Sequence, residues 1–418
     1  MSVRRSRTVD AEVQVPPSKS YTNRALIASS LAEGTSTILN PSSSDDSEYL
    51  IRALHKFGIK IQRGENCLHI EGSAGNLCAP SEEIFIGNAG TSMRFLTAFS
   101  SLAQGETVLT GDEQMQKRPI GDLLESLHSA GVQCSSNKGF PPVKILGGKL
   151  SGGTIDIKGS VSSQFVSSMM LVSPYARHPA TLIIKGKLTS RPYIDMTLHV
   201  MRSFGAMVET LDPSVYSVSN TERYIGQPYQ VEGDASSATY FLAAAAITGG
   251  RILITNLTTE SLQGDIKFLQ ILSDMGCTII SHEQSIELHG GKLFGIEVDM
   301  NDLPDCVPTL AVMAAFAKGP TTIHNIAHLR FKETDRLSAL AKELTKLGVN
   351  VEIDEDALTI HPEPLHRAEI ETYNDHRIAM SFAIAGLRIP QLTIANPGCV
   401  SKSFPNFWDE FSKLEEKV

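Results

Sequence analysis

A chain of 418 residues, 41% hydrophobic and 20% charged, is long enough for two or three domains with real cores, and its ordinary apolar content excludes a disordered protein. Its net charge of −9, from 37 basic and 46 acidic residues, is the opposite of a generic polyanion binder's balance, so an anionic ligand must be met by a local cluster of bases. The longest apolar run, 240–247, falls far short of the roughly 18 residues a spanning helix needs.

The chain starts with Arg4, Arg5 and Arg7 and no apolar stretch, which argues against a secretory signal; a cytoplasmic location is expected. The six cysteines (67, 78, 134, 277, 306 and 399) contain no C-x-x-C pair and no zinc spacing, so reduced thiols are expected. His282-Glu283 lacks a second histidine at 286, and no metal site is expected. A β-like run at 7–15 precedes Pro16-Pro17 and is expected to pair with the far half of the chain.

From Ser18 onward one grammar recurs six times. A polar start leads into a helix of small apolar residues, a Gly-containing turn and a short β-branched strand. A polar loop follows, then a second helix closed by glycine before another strand. The six starts are Ser18-Lys19-Ser20, Gly87-Asn88-Ala89-Gly90, Ser162-Ser163-Gln164, Asp234-Ala235-Ser236-Ser237, Pro304-Asp305 and Asn374-Asp375-His376-Arg377, the last unit being cut short. The closing glycines stand at 58, 131, 205, 276 and 348, at intervals of 73, 74, 71 and 72. Glycine there is what a left-handed helix cap asks for. Each unit of roughly 70 residues reads as strand–helix–strand–helix–strand, too long for the common solenoid repeats. Six units divide into two halves of three, with the crossing at Tyr224-Ile225-Gly226-Gln227-Pro228, where Gly and Pro interrupt the pattern. The expected domains are therefore 16–228, and 1–15 plus 229–418.

The helix starts carry bases where the helix dipole already supplies positive charge. Lys19 and Arg24 open the first, Arg94 lies in the second, and His376-Arg377 open the sixth. One such base is usually solvated; several in equivalent places point to an anion. In Arg330-Phe331-Lys332-Glu333-Thr334-Asp335-Arg336, a helical reading makes Lys332 and Arg336 like charges at i,i+4, with Glu333 pairing Arg336 and Asp335 solvated as the bland alternative. Lys117-Arg118-Pro119-Ile120 alone reads as a helix entry with Pro in the first turn, and Asp305 as an ordinary cap. Gly147-Gly148-Lys149 and Gly290-Gly291-Lys292 complete no Walker A loop and read as hairpin turns.

Taken together, these motifs resemble the 5-enolpyruvylshikimate-3-phosphate synthases, a family of enolpyruvyl transferases. The matching stretches are Ser18-Lys19-Ser20 with Asn23-Arg24, Gly87-Asn88-Ala89-Gly90-Thr91 with Arg94, Arg118-Pro119-Ile120, Ser162-Ser163-Gln164-Phe165, Pro192-Tyr193-Ile194-Asp195 and Glu232-Gly233-Asp234-Ala235-Ser236-Ser237. Lys332-Glu333-Thr334-Asp335-Arg336, Tyr373-Asn374-Asp375-His376-Arg377 and Lys402-Ser403-Phe404-Pro405 complete the set, in order over 18–405. The resemblance implies an α/β (α+β) fold of two domains, each of three βαβαββ units, with the active site in the interdomain cleft. It also implies transfer of the enolpyruvyl group of phosphoenolpyruvate to the 5-hydroxyl of 3-phosphoshikimate through a tetrahedral ketal, in the shikimate pathway of aromatic amino acid biosynthesis. Both substrates carry a carboxylate and a phosphate, which explains converging cations in an acidic protein.

By the same resemblance, Asp305, Glu333 and Lys19 are the catalytic groups. Phosphoenolpyruvate is held by Lys19, Gly90, Arg118, Gln164, Arg336, Arg377 and Lys402. 3-Phosphoshikimate is held by Lys19, Ser20, Arg24, Ser162, Ser163, Gln164, Ser190, Asp305 and Lys332. Arg94 and His376 are added as supporting residues. No cofactor or metal is implied, the partners are the two small-molecule substrates rather than nucleic acid or membrane, and a monomer is expected by analogy. Pro17 and Phe95 stand where the family commonly has Gly and Pro, and His328 where some members place an Asn. Gly90 leaves room for glyphosate, which competes with phosphoenolpyruvate in the family, so sensitivity is expected. The rivals are UDP-N-acetylglucosamine enolpyruvyl transferase and a non-catalytic polyanion-binding scaffold. The first usually carries a cysteine in the loop that here reads Gly111-Asp112-Glu113-Gln114-Met115-Gln116-Lys117. Net charge opposes the second.

Overall fold

The structure, a computed structural model, describes residues 1–4 and 8–414; Arg5 and Arg7 of the basic start lie outside the described residues. The chain forms two compact units, Pro17–Glu232 and Met1–Pro16 with Gly233–Val418.

All five repeated glycines take left-handed backbone, with φ of 86°, 83°, 90°, 109° and 95° at Gly58, Gly131, Gly205, Gly276 and Gly348. The same pair of hydrogen bonds closes each helix. At the first, Gly58 N donates to His55 O at 2.9 Å and Ile59 N to Leu54 O at 3.1 Å. This is the double-bonded Schellman ending, which a β-carbon would strain. The residue after each glycine (Ile59, Val132, Ala206, Cys277, Val349) is buried, so the cap also turns the chain inward.

Among the described residues five four-stranded sheets share one order, and a two-stranded sheet stands in the truncated sixth unit. In the first, Thr35–Leu39 lies parallel to Pro228–Gln230 and antiparallel to Cys67–Glu71, which pairs outward with Lys60–Gly64. Because Pro228–Gln230 pairs with this sheet, the chain leaves the unit after Glu232, four residues beyond the Gly-Pro interruption. Ser18 N donates to Glu232 O at 2.8 Å, tying the unit's entry to its exit. In the other unit Asp10–Val13 lies parallel to Arg251–Ile254, so the early β-like run does join the far half of the chain.

Each unit has its own core, built where three small-residue helices pack on one another. Ala235–Thr248 and His376–Gly386 are buried along their whole length, and both carry small and apolar residues on every side beyond their polar starts. Gly147 and Gly290 are not hairpin turns. They end the last strand of a unit against an inner helix, where a β-carbon would meet the carbonyl oxygens of Ala103 and Ala245 at 2.2 Å. No helix of the described residues is long and apolar enough to cross a membrane.

Candidate active site

In the Pro17–Glu232 unit the starts of Lys19–Leu31, Gly90–Phe99 and Ser163–Val172 lie together. Lys19 Nζ pairs with Asp46 Oδ2 at 3.1 Å, and Ser92 Oγ donates to the Asp46 carbonyl at 3.0 Å. Gln164 Nε2 donates to Thr91 Oγ1 at 3.1 Å. Ser162 caps its helix by accepting from Gln164 N, Ser163 and Ser190 are buried, and Ser190 takes a left-handed φ of 56°.

Arg118 lies across the start of the Gly90 helix. Its Nη1 donates to Asn88 O at 3.3 Å and to Asn88 Oδ1 at 3.1 Å, and a β-carbon on residue 90 would stand 2.5 Å from its Nη2. A β-carbon at this helix start would therefore displace the end of the Arg118 side chain. Arg94 braces the pair, donating to Gly90 O at 3.0 Å and to Pro119 O at 3.1 Å. Pro119 does not open a helix: a 3-10 turn ends at Lys117 and the next helix begins at Gly121, leaving the Pro119 carbonyl for Arg94.

Arg24 is only 1% exposed. Its Nε reaches Thr197 Oγ1 at 2.8 Å, Nη1 the Ser20 carbonyl at 2.9 Å, and Nη2 the Tyr193 carbonyl at 2.9 Å and Ser167 Oγ at 3.4 Å. Phe95 lies 5.4 Å from the guanidinium, Tyr193 5.9 Å. Burial pulls its pKa down to about 10. The side chain ties together the helices Lys19–Leu31, Ser163–Val172 and Pro192–Ser203.

The other unit gathers its bases around three carboxylates. Arg336, 1% exposed, donates from Nε to Asp375 Oδ2 at 2.8 Å, from Nη1 to Asp305 Oδ1 at 3.1 Å and from Nη2 to Glu333 Oε2 at 2.7 Å. Arg377 Nη2 meets Asp305 Oδ2 at 2.7 Å, and its Nη1 meets Tyr240 Oη at 3.2 Å. Lys402 Nζ stands 3.8 Å from Glu333 Oε1. Asp305 and Glu333 are therefore bridging carboxylates, each between two bases. Burial works against the Arg336 charge, but Asp375, Glu333 and Asp305 outweigh it and raise the pKa. Burial raises the Tyr240 hydroxyl, with Arg377 pulling the other way.

Several sequence expectations change here. Asp305 is not a cap: the Val307–Ala314 helix has Cys306 at its N-cap with no side-chain bond, and the Asp305 carboxylate goes to the two arginines. Lys332 and Arg336 do not share a helix. Lys332 has extended backbone after the 3-10 turn Ala327–Phe331, and the helix starts at Arg336. Asp335 is not simply solvated; it accepts from Ser338 N at 3.2 Å and pairs with Arg330 at 3.3 Å. The helix-start bases do not wait on an external anion alone, since protein carboxylates meet Lys19, Arg336 and Arg377. His376 is 1% exposed, with Nδ1 3.6 Å from Asp375 Oδ1, and His328 is buried in its 3-10 turn.

Sequence reasoning gave no role to Asp46, Asn88, Tyr240 or Asp375. For Asp375 a signal existed: it precedes the His376–Gly386 helix, accepts from Arg377 N at 2.9 Å, and an N-cap carboxylate is available to a nearby guanidinium. For Asp46 the acidic opening of the Asp45–Lys56 helix reads equally well as dipole compensation.

Residues 3–411 match the family model described as EPSP synthase (3-phosphoshikimate 1-carboxyvinyltransferase). A 3-phosphoshikimate 1-carboxyvinyltransferase of Trichormus variabilis is 42% identical over 414 residues, 98% of this chain and 97% of that protein. One from Methanospirillum hungatei is 44% identical over 423 residues, 99% of this chain and 98% of that protein. Among solved structures, an EPSP synthase from Acinetobacter baumannii superposes with a TM-score of 0.82 at 29% identity, covering 99% of this chain and 98% of its own. The enolpyruvyl transferase NikO from Streptomyces tendae shares the fold, with a TM-score of 0.79 at 19% identity over 99% of this chain and 96% of its own. Matched over residues 3–411 by the family model and over 98–99% of its length by relatives 42–44% identical, the chain belongs to the EPSP synthase family.

Proposed function

We propose that this chain is a 3-phosphoshikimate 1-carboxyvinyltransferase, moving the enolpyruvyl group of phosphoenolpyruvate to the 5-hydroxyl of 3-phosphoshikimate and releasing phosphate. The observation that carries this reading is the match of nearly the whole chain to enzymes of that activity. The two carboxylates held among bases, Asp305 and Glu333, are what such a reaction needs.

In the first step Asp305 takes the hydroxyl proton while the oxygen bonds to the enol carbon, and the methylene carbon gains a proton from Glu333 or Lys19. The product is a tetrahedral ketal. In the second step the methyl group returns a proton and the carbon–oxygen bond to phosphate breaks. Lys19, Arg118, Gln164, Arg336, Arg377 and Lys402 offset the charge of the donor's carboxylate and phosphate, with Gly90 leaving Arg118 its place. Lys19, Ser20, Arg24, Ser162, Ser163, Gln164, Ser190, Asp305 and Lys332 hold the acceptor, and Arg24 also ties together three helices of its own unit. The cations are held before substrate arrives, which is the preorganisation that makes such groups effective.

The deciding experiment measures phosphate release from phosphoenolpyruvate without added metal, offering 3-phosphoshikimate and UDP-N-acetylglucosamine separately. Release with 3-phosphoshikimate alone is expected; release with the sugar nucleotide would overturn the acceptor. A second expectation concerns Gly90→Ala. The new β-carbon would collide with Arg118, and losing one charged hydrogen bond, about 1.5–3 kcal/mol, should cost roughly 10–150-fold in kcat/KM for phosphoenolpyruvate. The wild-type enzyme should be inhibited by millimolar glyphosate and Gly90→Ala much less so. A KM for phosphoenolpyruvate unchanged in Gly90→Ala would show that Arg118 does not hold this substrate.

A further inference from the structure

Next to Asp305 lies a second carboxylate that the reaction as derived leaves unused. Asp265 sits in the 3-10 turn Gly264–Lys267 and is 5% exposed. One oxygen accepts from the Ser236 hydroxyl, the other from the Cys306 thiol at 3.3 Å. Ser236 lies in the first turn of Ala235–Thr248, and Cys306 is the residue after Asp305. Asp305, Arg377, Asp234 and Cys306 are the titratable and charged groups that face it. Burial keeps the Cys306 thiol protonated, so it stays a neutral donor. The hydroxyl and the thiol each take a separate carboxylate oxygen, so an asparagine could accept from only one of them, and it would also lose the negative charge that a carboxylate places beside Asp305.

We propose that Asp265 is a positioning residue for the transfer, whose charge, fixed behind Cys306 by Ser236, raises the proton affinity of Asp305 against the pull of Arg336 and Arg377. The inference rests on Asp305 being the base. Two guanidiniums weaken a base, and a like charge nearby strengthens it. Burial, then Asp305, push the Asp265 carboxyl up to about 6, with the Ser236 hydroxyl opposing them. The charge on Asp265 is thus present at neutral pH and lost on mild acidification.

The test compares kcat/KM, which reports the groups of the free enzyme, across pH 5–9 for wild type, Asp265→Asn and Ser236→Ala. The substrates' own phosphates titrate in every protein, so the difference between profiles is what is read. Wild type should step down by about three- to tenfold near pH 6 as Asp265 takes a proton and Asp305 weakens. Asp265→Asn should lack that step and run at the acid plateau throughout, with KM values little changed. Ser236→Ala removes the donor that favours the ionised form, so its step should move to higher pH; this variant also covers the case in which Asp265→Asn does not fold.

Unfolding reports whether Asp265 titrates within the fold, and the kcat/KM profiles report whether that charge acts on Asp305. A carboxyl whose folded pKa lies above its unfolded value stabilises the fold at low pH, and that contribution is lost as pH rises through about 6. Asp265→Asn should therefore compare better with wild type at pH 8 than at pH 5. A step that survives in Asp265→Asn, or equal destabilisation at both pH values, overturns the proposal. If Asp305→Asn itself keeps turnover, the assignment of the base fails first; if Asp305→Asn is inactive and Asp265→Asn keeps the step, only this inference fails.

Discussion

Asp305→Asn should lower kcat by about 10²–10⁴-fold, the usual span for losing a positioned general base, while leaving the protein folded. Asparagine matches the carboxylate in shape but has a single acceptor oxygen, so it can keep the hydrogen bond to Arg336 or the one to Arg377, not both. Arg336 also keeps Asp375 at 2.8 Å and Glu333 at 2.7 Å, so the cluster does not lose its remaining charge pairs. Phosphate release at saturating substrates reads the loss, and the urea midpoint checks that the fold is retained. A kcat within tenfold of wild type would remove Asp305 from the chemistry. Glu333→Gln should also lose turnover while still binding ligand, because Lys402 and Arg336 lose a charge partner without losing their places.

Arg336→Met should have the largest effect on stability. The guanidinium is 1% exposed and meets three carboxylates, of which Asp375 is 0% and Glu333 9% exposed by side chain. Removing one partner from a buried ion pair costs about 3–5 kcal/mol, because the carboxylates left behind are no longer compensated. That is a large part of the roughly 5–15 kcal/mol that holds an ordinary domain together. Asp375 also caps the His376–Gly386 helix, so its displacement should loosen the start of a fully buried helix. Urea unfolding followed by circular dichroism gives the number; a loss below 1 kcal/mol would mean that water or rearrangement reaches the cluster. Arg336→Lys should recover only part of the loss, since an ammonium cannot make the guanidinium's planar contacts to Asp375, Asp305 and Glu333 together.

The repeat was legible in the sequence because its marks are local. A glycine in left-handed backbone two hydrogen bonds past a helix end depends on its own few residues, and so the five positions keep their spacing and share one cap. The apolar run 240–247, within the helix Ala235–Thr248, is buried for the same local reason, since it has no charged face to turn to solvent. The strand order was less open to reading. Pairing of Pro228–Gln230 with Thr35–Leu39, across about half the chain, is a long-range contact that no local pattern announces.

The site divides along the same line. Sequence by itself determined six repeated units, helix starts that carry bases, and, by resemblance, the residues expected to meet two anionic substrates. Only the tertiary structure decided which carboxylate meets which base. It took Asp305 from a helix cap to a bridge between Arg336 and Arg377, and brought Asp375 onto Arg336 and Asp46 onto Lys19. It turned Arg24 inward to tie three helices and set Asp265 beside Cys306. The physical reason is range. Caps and helix periodicity are settled by neighbours within a turn or two, whereas a charge is settled by whatever lies within a few ångströms in space, wherever it stands in the chain.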